Sequence, residues 1–393
     1  MDAKTRDQKS NYFLSQPHQP FFLLGIANAV VMMLVFALSH KGVFHLQIDS
    51  LSFHAYSLIF MAFANLFTGF LFTTFTRFCQ APTIEKSYYV KIFYANAIAS
   101  VVFTIGSFLS HPLLLIGMGG LFVSNVFTVL KLHSIYKSGA AQAKEDPFWI
   151  LVAQYFGLLS HALFVAAQLG LDVENVAINV GFYLYVVFLT FSVAQRMIPF
   201  FSHSYEQKSD NFVKIVFASL ALKTICAAFD FTIAQIAIDV LLASYLLREF
   251  LGWKLPIFTC PAILWVLHLG LFWLPAAFFI SAITNAAELF LDANFQFLGI
   301  HLLAIGFVTT ILIGFGTRVA LGHSGQPPHA DGLAIKIFWF VQVVVILRTL
   351  YSLNVAFGWG ADFLFDVSFF AWLLLFLIWG ARYFKVLAFG AKI

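Results

Sequence analysis

The sequence predicts an all-α polytopic membrane protein, a bundle of about twelve transmembrane helices with both termini in the cytoplasm. Composition is the first reason. Hydrophobic residues make up 61% of the 393 residues and charged residues only 10%, with a mean hydropathy of +0.89. A soluble domain needs roughly 25% charged residues to cover its surface, so the lipid bilayer must be the solvent and first partner of this chain.

Apolar runs of spanning length are the second reason. A transmembrane helix needs about 20 mostly apolar residues, each rising about 1.5 Å. By this measure residues 1–393 form a single transmembrane domain, with spans near 21–39, 52–75, 89–109, 112–132, 147–170, 175–195, 212–229, 231–248, 259–283, 296–318, 333–353 and 363–386. The seventh and eighth spans are the least distinct, because only Asp230 separates them. The first run is too long for the apolar part of a signal peptide and is predicted to be a retained helix.

The positions of lysine and arginine are the third reason, and they predict orientation. If the N-terminus is cytoplasmic, all 22 of these residues fall on the inner side except Lys41, Lys223 and Arg348. Such a bias is typical of cytoplasmic loops. The net charge of +4 is therefore interpreted as a sign of membrane orientation, and no nucleic-acid partner is predicted.

Four histidines stand inside predicted spans: His54, His161, His268 and His301. Polar groups are costly in hydrocarbon, so intramembrane ones are candidates for function. Imidazole is a common ligand of haem iron, copper and zinc, and helix bundles collect such ligands in their cores. We predict these four as candidate metal ligands in the middle or outer half of the bilayer, His268 near mid-membrane. A hydrogen-bonded core residue is the alternative for each.

Polar stripes along two spans favour packing between helices. One face of the second span carries His54, Ser57, Met61, Asn65 and Thr68, and one face of the third carries Asn96, Ser100 and Thr104. Ser, Thr and Asn commonly form hydrogen bonds across a helix bundle. We therefore expect the inner members of these stripes to join neighbouring helices.

Buried charges allow two interpretations each. Lys223 and Asp239 lie midway along adjacent spans, which predicts an ion pair, with a proton relay as the alternative. Arg348, near the outer end of its span, could extend to the headgroups or bind the propionates of a haem. The three cysteines have no spacing typical of zinc or covalent haem and are predicted to be inert.

The connection GFGTRVALGHSGQPPHADG, residues 314–332, contains an arginine and two histidines. Arg318 is about 17 residues, or roughly 25 Å, from His301, so the connection cannot share a small site with the outer histidines. Arg318 fits a cytoplasmic anchor, and Gly322 and Gly325 are predicted to supply the turn. His323 is a candidate for proton entry, for a structural role or for metal contact.

Five stretches, in order along most of the chain, resemble the NnrS family of bacterial membrane proteins. TRVALGHSGQP is similar to that family's Thr-Arg-Val-x-Leu-Gly-His-Thr-Gly-Arg pattern, and LWVLHLGLFWLP, with His268, to its ninth-helix pattern. RMIPFF, with Arg196, resembles the segment closing its sixth helix, and HALF and LRTL match weaker patterns. The resemblance implies a haem- and copper-containing protein of the bacterial inner membrane, linked to nitric-oxide metabolism and nitrosative stress, and distantly similar to haem–copper oxidase catalytic subunits.

The second helix departs from the family pattern. The family has His-Ala-His-Glu-Met where this chain has His54-Ala55-Tyr56-Ser57-Leu58. Tyr56 and Ser57 thus replace a histidine and a glutamate that could bind a metal or relay protons. The departure weakens the expectation of copper more than that of haem.

The leading hypothesis is a b-type haem protein with axial imidazoles drawn from His54, His268 and His301, and His161 as a further ligand. Arg348 would contact the haem, and Tyr56 or Ser57 could donate a hydrogen bond to a bound diatomic such as nitric oxide. A redox version would need an electron donor. The alternatives are a transporter or assembly factor for metal or haem, and a nitric-oxide sensor without turnover. No residue is assigned a catalytic role.

Overall fold

The computed structural model describes residues 12–257 and 259–393, and within them it contains twelve long helices and no strand. A single 3₁₀ turn, Tyr12–Leu14, precedes them. The helices are α1 His18–His40, α2 Ser50–Phe78, α3 Lys86–Leu109, α4 His111–Ser138, α5 Glu145–Gln168, α6 Glu174–Phe201, α7 Phe212–Ala228, α8 Thr232–Gly252, α9 Ala262–Leu291, α10 Leu298–His323, α11 Gly332–Phe357 and α12 Phe363–Phe389. The all-α, multi-pass prediction is confirmed, and each predicted span coincides with one helix.

Ten of these helices are long and apolar enough to cross a membrane, in the part of the chain that the structure describes. The exceptions are the two least distinct predicted spans. Helix α7 has only 17 residues, and α8 carries Asp239, Arg248 and Glu249. They are joined by a tight turn in which Asp230 takes a left-handed conformation with φ 56°.

Side-chain caps explain where several helices begin. Asp49 accepts a hydrogen bond from Ser52 N at the start of α2, and Asp331 accepts one from Ala334 N at the start of α11, both at 2.9 Å. Ser110 does the same for Leu113 N before α4. Such caps satisfy amide groups that have no partner in the first turn of a helix.

Three helices stand apart by their burial. In α2, α6 and α10 the most apolar stretch is 94%, 89% and 78% buried, against 56% or less in the other seven membrane-length helices. Each of the three contains a π-helical segment, Ser57–Phe63, Val180–Val187 or Leu302–Thr309. Wide turns of this kind are uncommon and frequently mark functional sites. The three buried helices recur every fourth helix. They are therefore candidate positions for functional residues, and the candidate metal ligands His54 and His301 lie on α2 and α10.

The chain divides into two compact units. The first comprises residues 1–181, 319–327 and 376–393, and the second comprises residues 182–318 and 328–375. The single transmembrane domain stays a prediction.

In the first unit, close helix contacts depend on small residues and amides. A Cβ atom on Gly117 would lie 2.4 Å from the backbone of Phe103, so α3 and α4 approach more closely than any other residue would allow. Asn96 Nδ2 donates to Asn65 Oδ1 at 3.0 Å, and Asn28 Nδ2 donates to Met61 O at 3.0 Å. The predicted packing role is confirmed for Asn65 and Asn96, which join α2 to α3.

In the second unit, the predicted ion pair is confirmed. Lys223 Nζ lies 2.7 Å from Asp239, and both side chains are almost fully buried. Ser281 Oγ donates to the same carboxylate at 2.7 Å, and the ammonium lies 5.1 Å from the centre of the Tyr183 ring. These partners offset part of the cost of removing two charges from water.

Candidate functional site

His301 and Arg348 form the most unusual polar contact in the second unit. Arg348 Nη2 lies 3.1 Å from His301 Nδ1. The guanidinium is held in place by two further bonds, from Nη2 to the Gln296 carbonyl at 2.6 Å and from Nη1 to Ser352 Oγ at 2.5 Å. The structure thus brings together two of the predicted site residues, with the cation fixed by the backbone and a hydroxyl.

Nδ1 of His301 has two neighbours and can carry only one proton. The Phe297 carbonyl lies 3.0 Å away and can only accept, whereas Arg348 can only donate. The tautomer protonated at Nδ1 donates to Phe297 O, whereas the tautomer protonated at Nε2 accepts from Arg348 Nη2 through Nδ1. The first arrangement is the one in which metal-bound histidines are held, with one ring nitrogen bonded to a carbonyl and the other facing the metal.

A π-helical segment begins directly after His301. Within α10, Thr309 Oγ1 donates to Ala304 O at 2.8 Å, a bond across five residues rather than four. A Cβ on Gly306 would lie 2.8 Å from the Trp273 ring, so α9 and α10 are in close contact there. Trp273 Nε1 donates to Gln342 at 2.7 Å, which links α9 to α11. His301 therefore lies just before a closely packed region in which α9 contacts both α10 and α11 in the second unit.

His161 lies in a different kind of environment, in the first unit. Its Nε2 is 2.8 Å from the hydroxyl of Tyr56, and its Nδ1 is 3.1 Å from Asn125 Nδ2. The ring also stacks on Phe60 with centroids 4.2 Å apart. Tyr56 and His161 are both fully buried. Since both ring nitrogens already make hydrogen bonds, His161 would have to exchange one of them to bind a metal.

His54 and Tyr56 face different neighbours, as expected two residues apart on a helix. The His54 ring contacts Phe36 of α1 with centroids 4.2 Å apart, whereas Tyr56 faces His161. Ser57 Oγ donates to the backbone carbonyl of His54 at 3.3 Å. His54 and His161 thus belong to one unit but do not converge.

His268 is also bonded through both nitrogens. Ser202 Oγ lies 2.7 Å from Nε2, and Cys260 Sγ lies 3.6 Å from Nδ1. Burial raises the pKa of the Cys260 thiol, so a neutral thiol can donate to Nδ1 while Nε2 donates to Ser202. Cys260, predicted to be inert, is a partner of His268.

The register of α9 on α10 separates His268 from His301. A Cβ on Gly270 would lie 2.8 Å from the Ile311 side chain, and a Cβ on Gly314 would lie 2.6 Å from Leu267. His268 is therefore level with residues 311–314, about 17 Å along the axis from His301 at about 1.5 Å per residue. Two nitrogens so far apart cannot be the axial ligands of one haem iron.

The other candidates from the matched stretches lie near the end of α6 and in the last turns of α10. The Arg318 guanidinium stacks over the Phe201 ring at 3.9 Å, a cation–π contact, and Arg196 is half-buried on α6. The predicted turn needs a correction, because α10 continues through Gly322 to His323. Only Gly325 has the positive φ, 74°, that the turn requires.

His323 contacts His18, a residue that no sequence pattern singles out. The rings of His18 and His323, both in the first unit, have centroids 4.8 Å apart. The two residues are 305 positions apart in the sequence, and His18 stands at the first position of α1. Asn125, Ser202 and Cys260 were missed for the same reason, since single polar residues carry no signal of distant partners.

Within residues 12–257 and 259–393, no group of three or more His, Cys, Asp and Glu side chains is placed to hold a metal ion. A haem does not need such a group, because one or two axial ligands suffice. The residues at His301 fit that lesser requirement, with an imidazole anchored at Nδ1 and a guanidinium beside it for an anionic group.

The fold defines a multi-pass α-helical membrane protein. Its histidines at positions 161, 268 and 301 each contact a polar side chain of another segment. The chain belongs to the NnrS family, whose model, described as NnrS protein, matches residues 12–389. The family resemblance of the sequence motifs is thereby confirmed. No curated protein matches the chain.

Proposed function

We propose that this protein binds b-type haem within the membrane and acts, through a diatomic ligand such as nitric oxide, in nitric-oxide metabolism or nitrosative-stress resistance. Membership of the NnrS family is consistent with this role. The observation that carries the proposal is the His301–Arg348 contact at the start of a buried, π-containing helix. Bound haem would supply a site for a diatomic ligand and for one-electron chemistry.

His301 is the first candidate for the axial ligand. Its bond from Nδ1 to the Phe297 carbonyl would fix the ring plane and the tautomer, so that Nε2 is the metal-binding atom. Two of the five donors of Arg348 are used by Gln296 and Ser352, and the guanidinium retains donors for a carboxylate. These remaining donors support the interpretation that Arg348 binds a haem propionate, over the alternative that its side chain extends to the lipid headgroups.

His54 is the second candidate, because it also stands directly before the π-helical turns of a buried helix. His161 and His268 are the remaining candidates, and each would exchange a hydrogen bond for the metal on becoming a ligand. Tyr56 donates to or accepts from His161, so a hydrogen bond from Tyr56 to a diatomic would compete with that contact. Ser57 would likewise have to leave the His54 carbonyl.

Copper at the second-helix position is not part of the proposal. Tyr56 and Ser57 occupy the places of the family's histidine and glutamate, and both make hydrogen bonds to the protein instead. A phenol and a hydroxyl are also poorer ligands for copper than imidazole.

The proposed location is the bacterial inner membrane, with both termini in the cytoplasm. The ten apolar helices support a multi-pass topology, and the bias of basic residues supports the orientation. Fusion of a reporter active only in the cytoplasm to residue 393 tests the orientation. An inactive fusion, together with activity of a periplasm-specific reporter at the same position, would contradict it.

The optical spectrum of the purified protein tests the haem proposal. We expect a Soret band that shifts on addition of nitric oxide and is lost in His301→Ala. His133→Ala is the matched control, because Nδ1 of His133 hydrogen-bonds to the hydroxyl of the exposed Tyr155. Protein purified from haem-replete cells without haem would overturn the proposal, as would an unchanged spectrum in His301→Ala.

Consumption of nitric oxide then separates the two forms of the proposal. With a chemical reductant present, steady consumption indicates an oxidoreductase that takes electrons from a donor. Stoichiometric binding without consumption indicates a sensor.

A further inference from the structure

A groove on the surface of the first unit runs between α3 and α4. Residues between 88 and 102 of α3 and between 116 and 127 of α4 line it, nearly all of them apolar, and its volume is about 810 Å³. That volume lies within the roughly 300–1,000 Å³ of sites for small molecules and cofactors. Ile98 and Val123, which line the groove from the two helices, are 64% and 52% exposed, so the groove opens toward the lipid.

Small residues let the two helices touch beneath the groove. A Cβ on Gly120 is only 3.0 Å from the Cβ of Ala99, so packing requires a small residue there. Gly119 also lines the groove, but a Cβ at that position would meet nothing within 4 Å. Glycine weakens a helix interior, and contact between α3 and α4 does not require one at residue 119. Its effect is to leave the groove deeper by one side chain.

The length of the groove matches one leaflet of a bilayer. From Lys91 to Val102 it follows α3 for 11 residues, about 16 Å at about 1.5 Å per residue. The hydrocarbon core of a bilayer is about 30 Å thick, so one leaflet contributes about 15 Å. An acyl chain that lay in the groove would therefore reach from the membrane surface to the midplane.

Two lysines stand at one end of the groove. Lys91 lines it, and the Lys131 ammonium lies 5.0 Å from the centre of the Tyr88 ring, which lines it as well. The Tyr88 hydroxyl donates to the Phe127 carbonyl at 2.8 Å, so this ring is fixed between α3 and α4. Among the described residues neither lysine forms an ion pair with a carboxylate. Basic pockets between membrane helices are suited to anionic lipid headgroups.

A buried hydroxyl in the lining has no partner. Ser124 is 2% exposed, and its Oγ has no hydrogen-bond partner among the described residues. Thr128, one turn along α4, donates to the Ser124 carbonyl at 3.0 Å, as hydroxyls inside helices commonly do. Buried polar atoms nearly always have a partner, so an exception calls for an explanation. Gly120 packs against Ala99 in the antiparallel pair. This register places Ser124 about one helical turn deeper in the groove than Lys91.

We propose that the groove binds one anionic phospholipid, with its phosphate at Lys91 and Lys131 and one acyl chain against Gly119. The ester carbonyls of a phospholipid lie just beneath its phosphate, at the depth of Ser124, and one of them is the acceptor for that hydroxyl. Charge at one end distinguishes the bound lipid from the rest of the bilayer. The site uses only residues of α3 and α4, and it does not depend on haem.

Lipid binding to the full-length protein in detergent tests the proposal. Delipidated protein is titrated with dioleoyl phosphatidylglycerol and, separately, with dioleoyl phosphatidylcholine, and bound lipid is counted by native mass spectrometry. We expect one phosphatidylglycerol to bind more tightly than the phosphatidylcholine with the same chains. Lys91→Gln and Lys131→Gln should each lower that preference by about fivefold, the effect of one basic residue near an anionic membrane surface.

Gly119→Leu fills the groove with a side chain and should abolish binding of the phosphatidylglycerol. Val101→Leu is its matched control, because Val101 is 57% exposed on α3 but lies outside the lining. Lys86→Gln is the control for charge, because Lys86 is exposed at the start of α3 and also lies outside the lining. Equal loss in either control, or binding like the wild type in Gly119→Leu and Lys91→Gln, would overturn the proposal.

A measurement on the wild type covers variants that fail to fold. Phosphatidylglycerol with a photoactivatable acyl chain should label residues 95–102 and 116–123 in preference to the exposed faces of other helices. Uniform labelling would overturn the proposal. Binding without preference for the anionic headgroup would also overturn it, as would displacement of the lipid by a quinone or a dimer that Gly119→Leu dissociates. The last two results would assign the groove a different occupant.

Discussion

Two networks of the first unit and two of the second differ in whether the buried polar groups carry charge. In the first unit, the described networks at Tyr56–His161 and Asn65–Asn96 consist of neutral groups. In the second unit, Lys223–Asp239 and Arg348–His301 place formal charges among apolar side chains. A neutral pair in a membrane protein is worth little net free energy, whereas a buried charge without its partner is very costly. The comparison predicts a graded response to mutation, strongest at the charged sites.

The largest effect is expected at the buried ion pair. Lys223→Met leaves the Asp239 carboxylate without its counter-charge and should lower the free energy of unfolding by about 3–5 kcal/mol. The measurement is an unfolding titration in mixed detergent micelles. The double variant Lys223→Met/Asp239→Leu removes both charges and should recover much of the loss. A double variant as unstable as the single one would show that packing, and not charge, sets the cost.

Arg348 should give the next largest effect, and on ligand binding more than on folding. Arg348→Leu removes the fixed cation beside His301 and should lower haem affinity by about 10- to 100-fold, the range seen when outer-shell partners of metal ligands are lost. Arg348→Lys should fall between, because lysine keeps the charge but not the planar fork. Arg318→Leu is the control, since Arg318 stacks on Phe201. If Arg318→Leu lowered haem affinity as much as Arg348→Leu, the loss could not be attributed to the contact between Arg348 and haem.

The helices could be predicted from sequence because nearly every apolar run is about as long as a membrane-spanning helix, so each run indicates a helix by itself. The π-helical segments could not, since Ser57–Phe63 and Leu302–Thr309 have ordinary apolar sequences and their wider turns arise from packing. The partners of the candidate histidines could not be predicted from sequence either. The pairing of His161 with Tyr56, or of His268 with Ser202, joins residues 105 and 66 positions apart, and only the tertiary structure decides such contacts.

Helices α7 and α8 show why charge bias could not fix the number of crossings. They are consecutive, so if neither crosses the membrane every later loop keeps its predicted side. Lys223 would then join the cytoplasmic residues, and the bias would become slightly stronger. The positive-inside pattern therefore supports a ten-span path as well as a twelve-span path, and the difference lies in helix length and the charges of α8.

A smaller effect is expected at the Tyr56–His161 bond. Tyr56→Phe leaves a buried imidazole nitrogen without its partner and should lower the free energy of unfolding by about 1–3 kcal/mol. Haem content should stay unchanged. Tyr155→Phe is a matched control, because the same phenol–imidazole bond, to His133 Nδ1 at 2.6 Å, is partly exposed there and water can replace it. A loss of haem in Tyr56→Phe would instead place His161 in the haem site.

The smallest effect is expected at the neutral contact between α2 and α3. Asn96 Nδ2 donates to Asn65 Oδ1, while Asn65 keeps its own bond to the Met61 carbonyl at 2.7 Å. A double-mutant cycle of Asn65→Ala and Asn96→Ala should give a coupling of about 0.6 kcal/mol, the average for such pairs in membrane helices. The coupling is small because the unfolded chain in a micelle also finds partners for its amides. A coupling as large as the ion-pair effect would mean that neutral and charged networks stabilise the two units equally, and the contrast between them would be lost.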